Sequence, residues 1–509
     1  LSPKTESTLS QSEQDLQQQQ VQAVGAYMGQ LFSMPWMQQM AGALYQRQQK
    51  SMALMTELRQ SNISAVGFWP FVGLFMPVCV ERAEGSRLWD VDGNEYLDFF
   101  LGWGTQSLHG HNPEPVVRFV RELVGKNVGN AYTTPLHLEY VRLLKELVPH
   151  REKWAFLNSG SDATSAAIRI ARAHTRRRVV VRFEGNSNGQ HDLNSYNGIS
   201  AFFGHPLVPF PPKKGPEVPL RSYSQGVQRL GQEDLLVLTF GDPASLDIIQ
   251  KRKDEIACVI TEHFPSQFPD EQKAIGFVRE LSDVCQKSGV VFILDEVHSG
   301  FRYGPSGVAG YYDIPADLIT YGKVMAAMGV PLSAVAGRSD IMEVAATTGG
   351  LGDVGTKTLL GTTHMGSHLA MGASYASMAL LKEKGSAFYE RTRKKAARLR
   401  SKLEALPVMD GVKLKLFGYG DFCGYMCFMR DQPMETHREF VNAMLLLPTN
   451  ILALLLRSKG IYTHSVPLIY LGDSQSEQDI DTLVEKTREA LEEMKANQFP
   501  FVPPASLQG

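Results

Sequence analysis

The sequence predicts an α/β fold: a mainly parallel seven-stranded sheet in a large unit, with a smaller α+β unit beside it. Three observations carry this. Seven short apolar, β-rich runs alternate with helical patterns between about residues 130 and 385. Those runs are continuous rather than alternating, as in strands buried on both faces. From about residue 386 the pattern changes to a long Lys/Arg-rich helix, two or three strands and a terminal helix over about 476–495.

The elements follow in order. Residues 1–20 are polar and Gln-rich, ending in Gln17 to Gln20, and read as a linker or frayed helix. From 21 to 60, Leu44, Met52, Leu54, Met55 and Leu58 recur at near-helical spacing, which predicts an amphipathic helix. Such a helix lies on its own unit or docks a carrier or upstream domain; the first is the commoner case. Compact structure is expected from about Pro70. LWDVDGNEYLDFF (88–100) alternates around Asp92-Gly93, the signal for a hairpin. The seven runs are KWAFL (153–157), RVVVRF (178–183), LLVLTF (235–240), IACVIT (256–261), VVFILD (290–295), DLITY (317–321) and PLSAVAG (331–337). Six prolines over 204–220 predict a loop. The expected organisation is a helical extension over 1–69, the N-terminal part of the small unit over 70–129, the large unit over 130–385 and the rest of the small unit over 386–509.

Composition excludes several classes. Lys+Arg numbers 51 and Asp+Glu 53, too even a balance for a nucleic-acid backbone binder. With 43% hydrophobic and 20% charged residues, the chain fills a large core and is not mainly disordered. Five cysteines form no disulfide framework, so a reducing, cytoplasmic compartment is expected. Cys423-x3-Cys427 has no second pair at metal spacing, and scattered histidines (His109, His111, His191, His298, His364) show no metal pattern; no metal site is expected. No run of about 18 apolar residues predicts a membrane span. The chain opens on Leu1, so a fragment or a processed terminus is expected.

Three motifs carry chemistry. In LNSGSDATSAAIRIARA (157–173), Ser159-Gly160-Ser161 opens a helix whose free N–H groups could hold a phosphate; alone, such a triplet is usually a cap. In VVFILDEVHSGFR (290–302), Asp295 closes a buried strand at the ligand-binding edge of the sheet. A carboxylate there needs a cation or hydrogen bonds, and a protonated ring nitrogen would serve; a helix cap or metal ligand is the alternative. In DLITYGKVMAAMGVPLSAVAGR (317–338), Lys323 follows an apolar strand. A partly desolvated lysine has a lowered pKa and can form a Schiff base, though a solvated strand-end lysine is commoner.

Taken together and in this order, the motifs resemble the class III aminotransferases of the fold-type I, pyridoxal 5′-phosphate-dependent group, most closely the glutamate-1-semialdehyde aminomutase branch, which includes synthase-embedded aminotransferase domains. The resemblance runs from about 70 to 495. LWDVDGNEYLDFFLGWG (88–104), LHGHNPEPVV (108–117), NSGSDA (158–163), RFEGNSNGQHD (182–192), TFGDPASL (239–246), ITEHF (260–264) and GTTHMGSHLAM (361–371) are similar to family segments, and ILDEVHSGFR (293–302) and YGKVMAAMGVPLSAVAGR (321–338) match its two most specific ones.

The resemblance implies roles. Lys323 would hold the cofactor as a Schiff base and then shuttle a proton; Asp295 would pair with the ring nitrogen. Ser159, Gly160 and Ser161 would bind the phosphate, Val297 would pack on one ring face, and Glu262 and His298 would lie near the ring. Thr363, or Thr362, would reach the phosphate from the other subunit of a homodimer. The sequence departs from the family where an aromatic residue stacks on the second ring face: the matching tripeptide is Ser187-Asn188-Gly189, and Ser187 cannot stack. The replacement would be an altered ring setting or an aromatic from elsewhere, such as Tyr196. Asp162 stands where Glu is usual, and His263 where Pro is usual.

The implied activity moves an amino group from an amino donor to an aldehyde or keto acceptor, one that is long or carrier-bound if the N-terminal helix marks a synthase module. A Phe-rich pocket edge (Phe202, Phe203, Phe264, Phe268) would suit bulky acceptors. An intramolecular aminomutase and a non-catalytic scaffold are the alternatives.

Overall fold

The computed structural model describes residues 22, 25–61, 78–130, 132–198, 215–222, 226–264, 268–418 and 422–502. The Gln-rich segment 1–20, Phe202 and Phe203 lie outside these.

Fifteen strands are described: β1 (Val80–Glu84), β2 (Arg87–Asp90), β3 (Glu95–Asp98), β4 (Lys153–Leu157), β5 (Val179–Phe183), β6 (Glu217–Val218), β7 (Leu235–Leu238), β8 (Ile256–Glu262), β9 (Val291–Glu296), β10 (Leu318–Tyr321), β11 (Ser333–Gly337), β12 (Val412–Phe417), β13 (Cys423–Arg430), β14 (Ile461–Tyr462) and β15 (Leu468–Tyr470). The large sheet has the order β4-β11-β10-β9-β8-β5-β7-β6. Its middle is parallel from β10 to β7, while β11 runs antiparallel to both neighbours and β6 runs antiparallel to β7. All seven apolar runs are strands of this sheet. The eighth, β6, has two residues inside the Pro-rich stretch, too short to leave a hydrophobic pattern.

The continuity of the runs has a direct cause. Along β5, Val179, Val181 and Phe183 enter one core cluster and Val180 the cluster on the opposite face. Along β9, Phe292 and Leu294 face the first cluster, and Val291 and Ile293 the second. Helices Pro135–Leu147 and Glu271–Ser288 cover the first face, and helix Gly160–Thr175 covers the second.

The hairpin β2–β3 turns through Gly93 at φ +87°, and β14, from the C-terminal part, pairs in parallel with β3. The N-terminal extension is helical among its described residues, with helices Pro35–Arg47 and Gln49–Ser61 separated at Gln48. Met37, Met40 and Leu44 pack into one core with Leu399, Leu454 and Leu491. Asp92 at the hairpin accepts bonds from Lys50 N (2.7 Å) and Ser51 N (2.9 Å), which fixes the second helix. The extension therefore lies on its own chain, while Leu54 and Leu58 on the second helix are 46% and 41% exposed. Helix His368–Glu404 spans both regions. It breaks at Gly385 (φ 57°, ψ −151°), a conformation suited to glycine. Met371, Met378 and Leu381 before the break pack on the sheet; Ala396, Leu399 and Leu403 after it join the other core. Among the described residues, no helix is long and apolar enough to cross a membrane.

Candidate active site

Because β8, β9 and β10 are parallel neighbours, their C-terminal ends meet at one sheet edge. Strand register sets Glu262 beside Asp295, and Asp295 beside Thr320. Asp295 is buried and accepts three hydrogen bonds. Asn188 Nδ2 reaches Oδ2 at 2.8 Å; Thr320 Oγ1 and Val297 N reach Oδ1 at 2.8 and 3.0 Å. Burial raises its carboxyl above the ordinary range, against the opposing pull of those bonds and the Lys323 charge. Glu262 Oε1 accepts from Ser187 N at 2.7 Å.

Lys323 follows β10 after Gly322, at φ +42°, in the left-handed region. That conformation costs an L residue roughly 1–2 kcal/mol, and strain of this kind gathers at functional sites. Its Nζ stands 5.9 Å from the Trp103 ring centroid.

Helix Gly160–Thr175 begins with a capping box: Ser159 Oγ accepts from Asp162 N, and Asp162 Oδ2 from Ser159 N, both at 3.1 Å. Asp162, the shorter acid, thus still closes the cap. The helix runs straight off β4, so its N-terminal N–H groups lie at the same edge. A Cβ on Gly160 would stand 2.7 Å from Val297 Cγ1, so Val297 packs directly on this turn. Ser161 Oγ accepts from Gln190 N at 3.0 Å, and Gly189 (φ +101°) lets that loop press against the helix.

These groups enclose a cavity of about 430 Å³. Ser159, Gly160, Ser161, Ser187, Glu262, Asp295, Val297, His298 and Lys323 all line it. Asn188 instead sits behind Asp295 as its donor. His298 Nε2 meets the Tyr470 hydroxyl at 2.8 Å, and burial, then the charges of Arg302 and Lys323, hold its imidazole well below the ordinary range. Thr362 and Thr363 are exposed and do not line this cavity; Thr362 Oγ1 accepts from Asn158 Nδ2 at 2.7 Å.

Two sequence expectations are corrected. Tyr196 is buried beside β5 and β7, with its hydroxyl donating to Gln228 O at 2.7 Å, so it supplies no ring contact in the cavity. Phe264 and Phe268 are buried in the sheet core, Phe268 5.2 Å from Phe240, and form no pocket edge. Among the described residues, Trp103, Tyr425 and Tyr470 bring indole and phenol rings to the cavity lining. Thr320, Tyr425 and Tyr470 escaped the sequence reading. Thr320 had one signal, a hydroxyl in an otherwise apolar strand.

The donor set fits the expected pyridoxal 5′-phosphate. The cavity falls in the roughly 300–1,000 Å³ range of cofactor sites. An amine, a helix N-terminus with two serines and a buried carboxylate meet in it. A carboxylate has about four acceptor positions; Asp295 uses three on the protein, which leaves one for a ring N–H.

A family model described as Aminotransferase class-III matches residues 72–466. The glutamate-1-semialdehyde 2,1-aminomutase of Clostridium novyi (strain NT) is 29% identical over 428 residues, which cover 82% of this chain and 91% of that one. A solved omega-transaminase from Sphaerobacter thermophilus superposes with a TM-score of 0.76 at 24% identity, over 87% of this chain and 97% of that one. A transaminase solved with PLP bound superposes with a TM-score of 0.73 at 23% identity, over 89% and 99%.

Proposed function

Because this chain belongs to the class-III aminotransferase family, we propose that it moves an amino group from an amino donor to an aldehyde or keto acceptor, with pyridoxal 5′-phosphate as its cofactor. The observation that carries this reading is the meeting of Lys323, Asp295 and the Ser159–Ser161 helix turn in one cavity. When bound, the cofactor supplies an aldehyde that accepts the amino group and a ring that draws electrons from the adjoining carbon. Lys323 Nζ would hold it and, once freed by the substrate amine, would take the proton from the substrate's amine-bearing carbon and return it on the cofactor side. Asp295, kept in place by Asn188, Thr320 and Val297 N, holds a proton on the ring nitrogen. Ser159, Gly160 and Ser161 bind the phosphate; Val297 packs on one ring face; Ser187, Glu262 and His298 border the ring.

The reading includes a symmetric homodimer in which the exposed Thr363, or its neighbour Thr362, faces the phosphate of the second copy. It places the enzyme in the cytoplasm and extends to a long-chain or carrier-bound acceptor, the exposed Leu54 and Leu58 being the part of the extension open to a carrier or upstream domain. A panel of amino donors mixed with the loaded protein tests it: a true donor discharges the visible band and yields its keto product, whereas a protein that takes up no cofactor is a scaffold. Similarity to the Clostridium novyi aminomutase favours a second reading, transfer within one small substrate. Turnover without any added amine would support that one.

A further inference from the structure

Tyr470 ends β15 and forms part of the cavity wall, with its side chain 1% exposed. Its hydroxyl meets His298 Nε2 at 2.8 Å. The ring is held on two sides. A Cβ on Gly104 would stand 2.3 Å from Tyr470 Cε1, so only glycine allows this packing. The guanidinium carbon of Arg302 lies 5.1 Å from the ring centroid, and Arg302 is itself fixed by donating to the carbonyls of His298 and Gly104. The backbone is pinned as well, with Tyr470 N donating to Phe99 O at 2.8 Å. A side chain so confined presents its hydroxyl at one place.

The surroundings define what that hydroxyl can meet. Trp103 and Leu468 also line the cavity, Leu468 two residues before Tyr470 on β15, and the lining elsewhere includes the hydroxyls of Ser159, Ser161 and Ser187 and the carboxylates of Glu262 and Asp295. A phenol has one donor hydrogen and two acceptor lone pairs, so it can hold an imidazole and a ligand oxygen together.

We propose that Tyr470 is a specificity-determining residue whose hydroxyl, positioned by His298, hydrogen-bonds an uncharged hydroxyl or carbonyl oxygen on an otherwise apolar amine or aldehyde substrate. The inference rests on the amino-transfer reading above. A carboxylate fits less well, because against Trp103 and Leu468 it loses hydration. A site that bonds a substrate oxygen also rejects the analogue lacking it far more strongly than a methylene contact can.

The test uses loaded enzyme and straight-chain primary amines, each compared with its hydroxyl-terminated and carboxyl-terminated counterpart. In Tyr470→Phe, the kcat/KM ratio of hydroxyl-terminated to plain amine falls about tenfold, the scale of one neutral hydrogen bond. His298→Gln moves the ratio the same way by a smaller factor, and carries the test alone if the first variant does not fold. Calorimetry with the matching unreactive alcohols shows the same weakening. An unchanged ratio in a Tyr470→Phe enzyme that retains its visible band overturns the inference, as does a larger loss for the carboxyl-terminated amines. A wild-type protein that binds no cofactor removes the amino-transfer reading and this inference with it. A loaded, active wild type whose selectivity ignores Tyr470 removes the inference alone.

Discussion

Asn188 Nδ2 donates to Asp295 Oδ2 over 2.8 Å, at a position where the sequence lacks the aromatic residue that the family pattern has nearby. The loop that gives up ring stacking at Ser187 therefore orients the acid. Ser187 itself faces the cavity with its backbone tied to Glu262, so the two neighbours divide between lining the cavity and supporting Asp295.

Removing that donor makes the carboxylate harder to ionise. Asn188→Ala leaves a buried acceptor site without its partner, a loss of about 1–3 kcal/mol. The expected outcome is weaker cofactor affinity, with the acidic limb of binding moved to higher pH. A pH series of cofactor titrations reads it; identical limbs in the two proteins would refute the role.

Asp295→Asn removes one partner of the proposed buried charge pair. The expected loss of cofactor affinity is about 3–5 kcal/mol, or between two and four powers of ten. The cofactor-free protein should respond in the opposite sense. With the folded pKa of Asp295 raised, the folded state binds more protons than the unfolded one between the ordinary and the raised value, so stability falls as pH climbs through that window and stays lower above it. The amide that replaces the carboxyl does not titrate and escapes this loss. Melting temperatures of the two cofactor-free proteins should therefore diverge as pH rises, the variant losing less.

Gly160→Ala would place a methyl 2.7 Å from Val297 Cγ1. Overpacking costs roughly 1–3 kcal/mol, and here the shift falls on the proposed phosphate turn and ring face together. Val297→Ala in the same chain opens space and should restore part of the cofactor affinity. A double-mutant cycle on the dissociation constant gives the coupling, and purely additive effects would mean that the two residues do not press on one another.

Burial depresses His109 and His191 to about 4, and His263 and His464 to about 3. Each is neutral when folded and takes up a proton on unfolding below its unfolded pKa near 6.5. Folded values below unfolded ones mean stability present above that pH and lost as pH falls towards 4 and 3, each histidine adding a slope of about 1.4 kcal/mol per pH unit. Urea midpoints measured from neutral pH downward should fall, and less steeply in His464→Gln. A flat profile would show that these rings are hydrated.

The large sheet was legible because its central strands are buried on both faces, which forces mainly apolar runs in β5, β8, β9 and β10. Lys323 and Asp295 were legible only through their order after the Ser159-Gly160-Ser161 turn, since each alone has an ordinary alternative reading. Tyr470 and Tyr425 were not, since they come from C-terminal strands outside the large sheet and meet the cavity through packing between distant segments. Tyr196 looked equally able to supply the missing aromatic; only the path of the chain after Asn194 turns it into the core. The break of the N-terminal helix at Gln48 also lacked a signal, because that glutamine is buried against the Tyr96 hydroxyl, a contact set by the hairpin and not by helix periodicity.

The central claim is that one amine, Lys323 Nζ, holds the cofactor. Incubation with pyridoxal 5′-phosphate, borohydride reduction and peptide mass spectrometry test it directly. The predicted result is a single cofactor-derived mass increase on the peptide containing Lys323, absent from Lys323→Ala. Labelling of another lysine, or none while the protein remains folded, would contradict it.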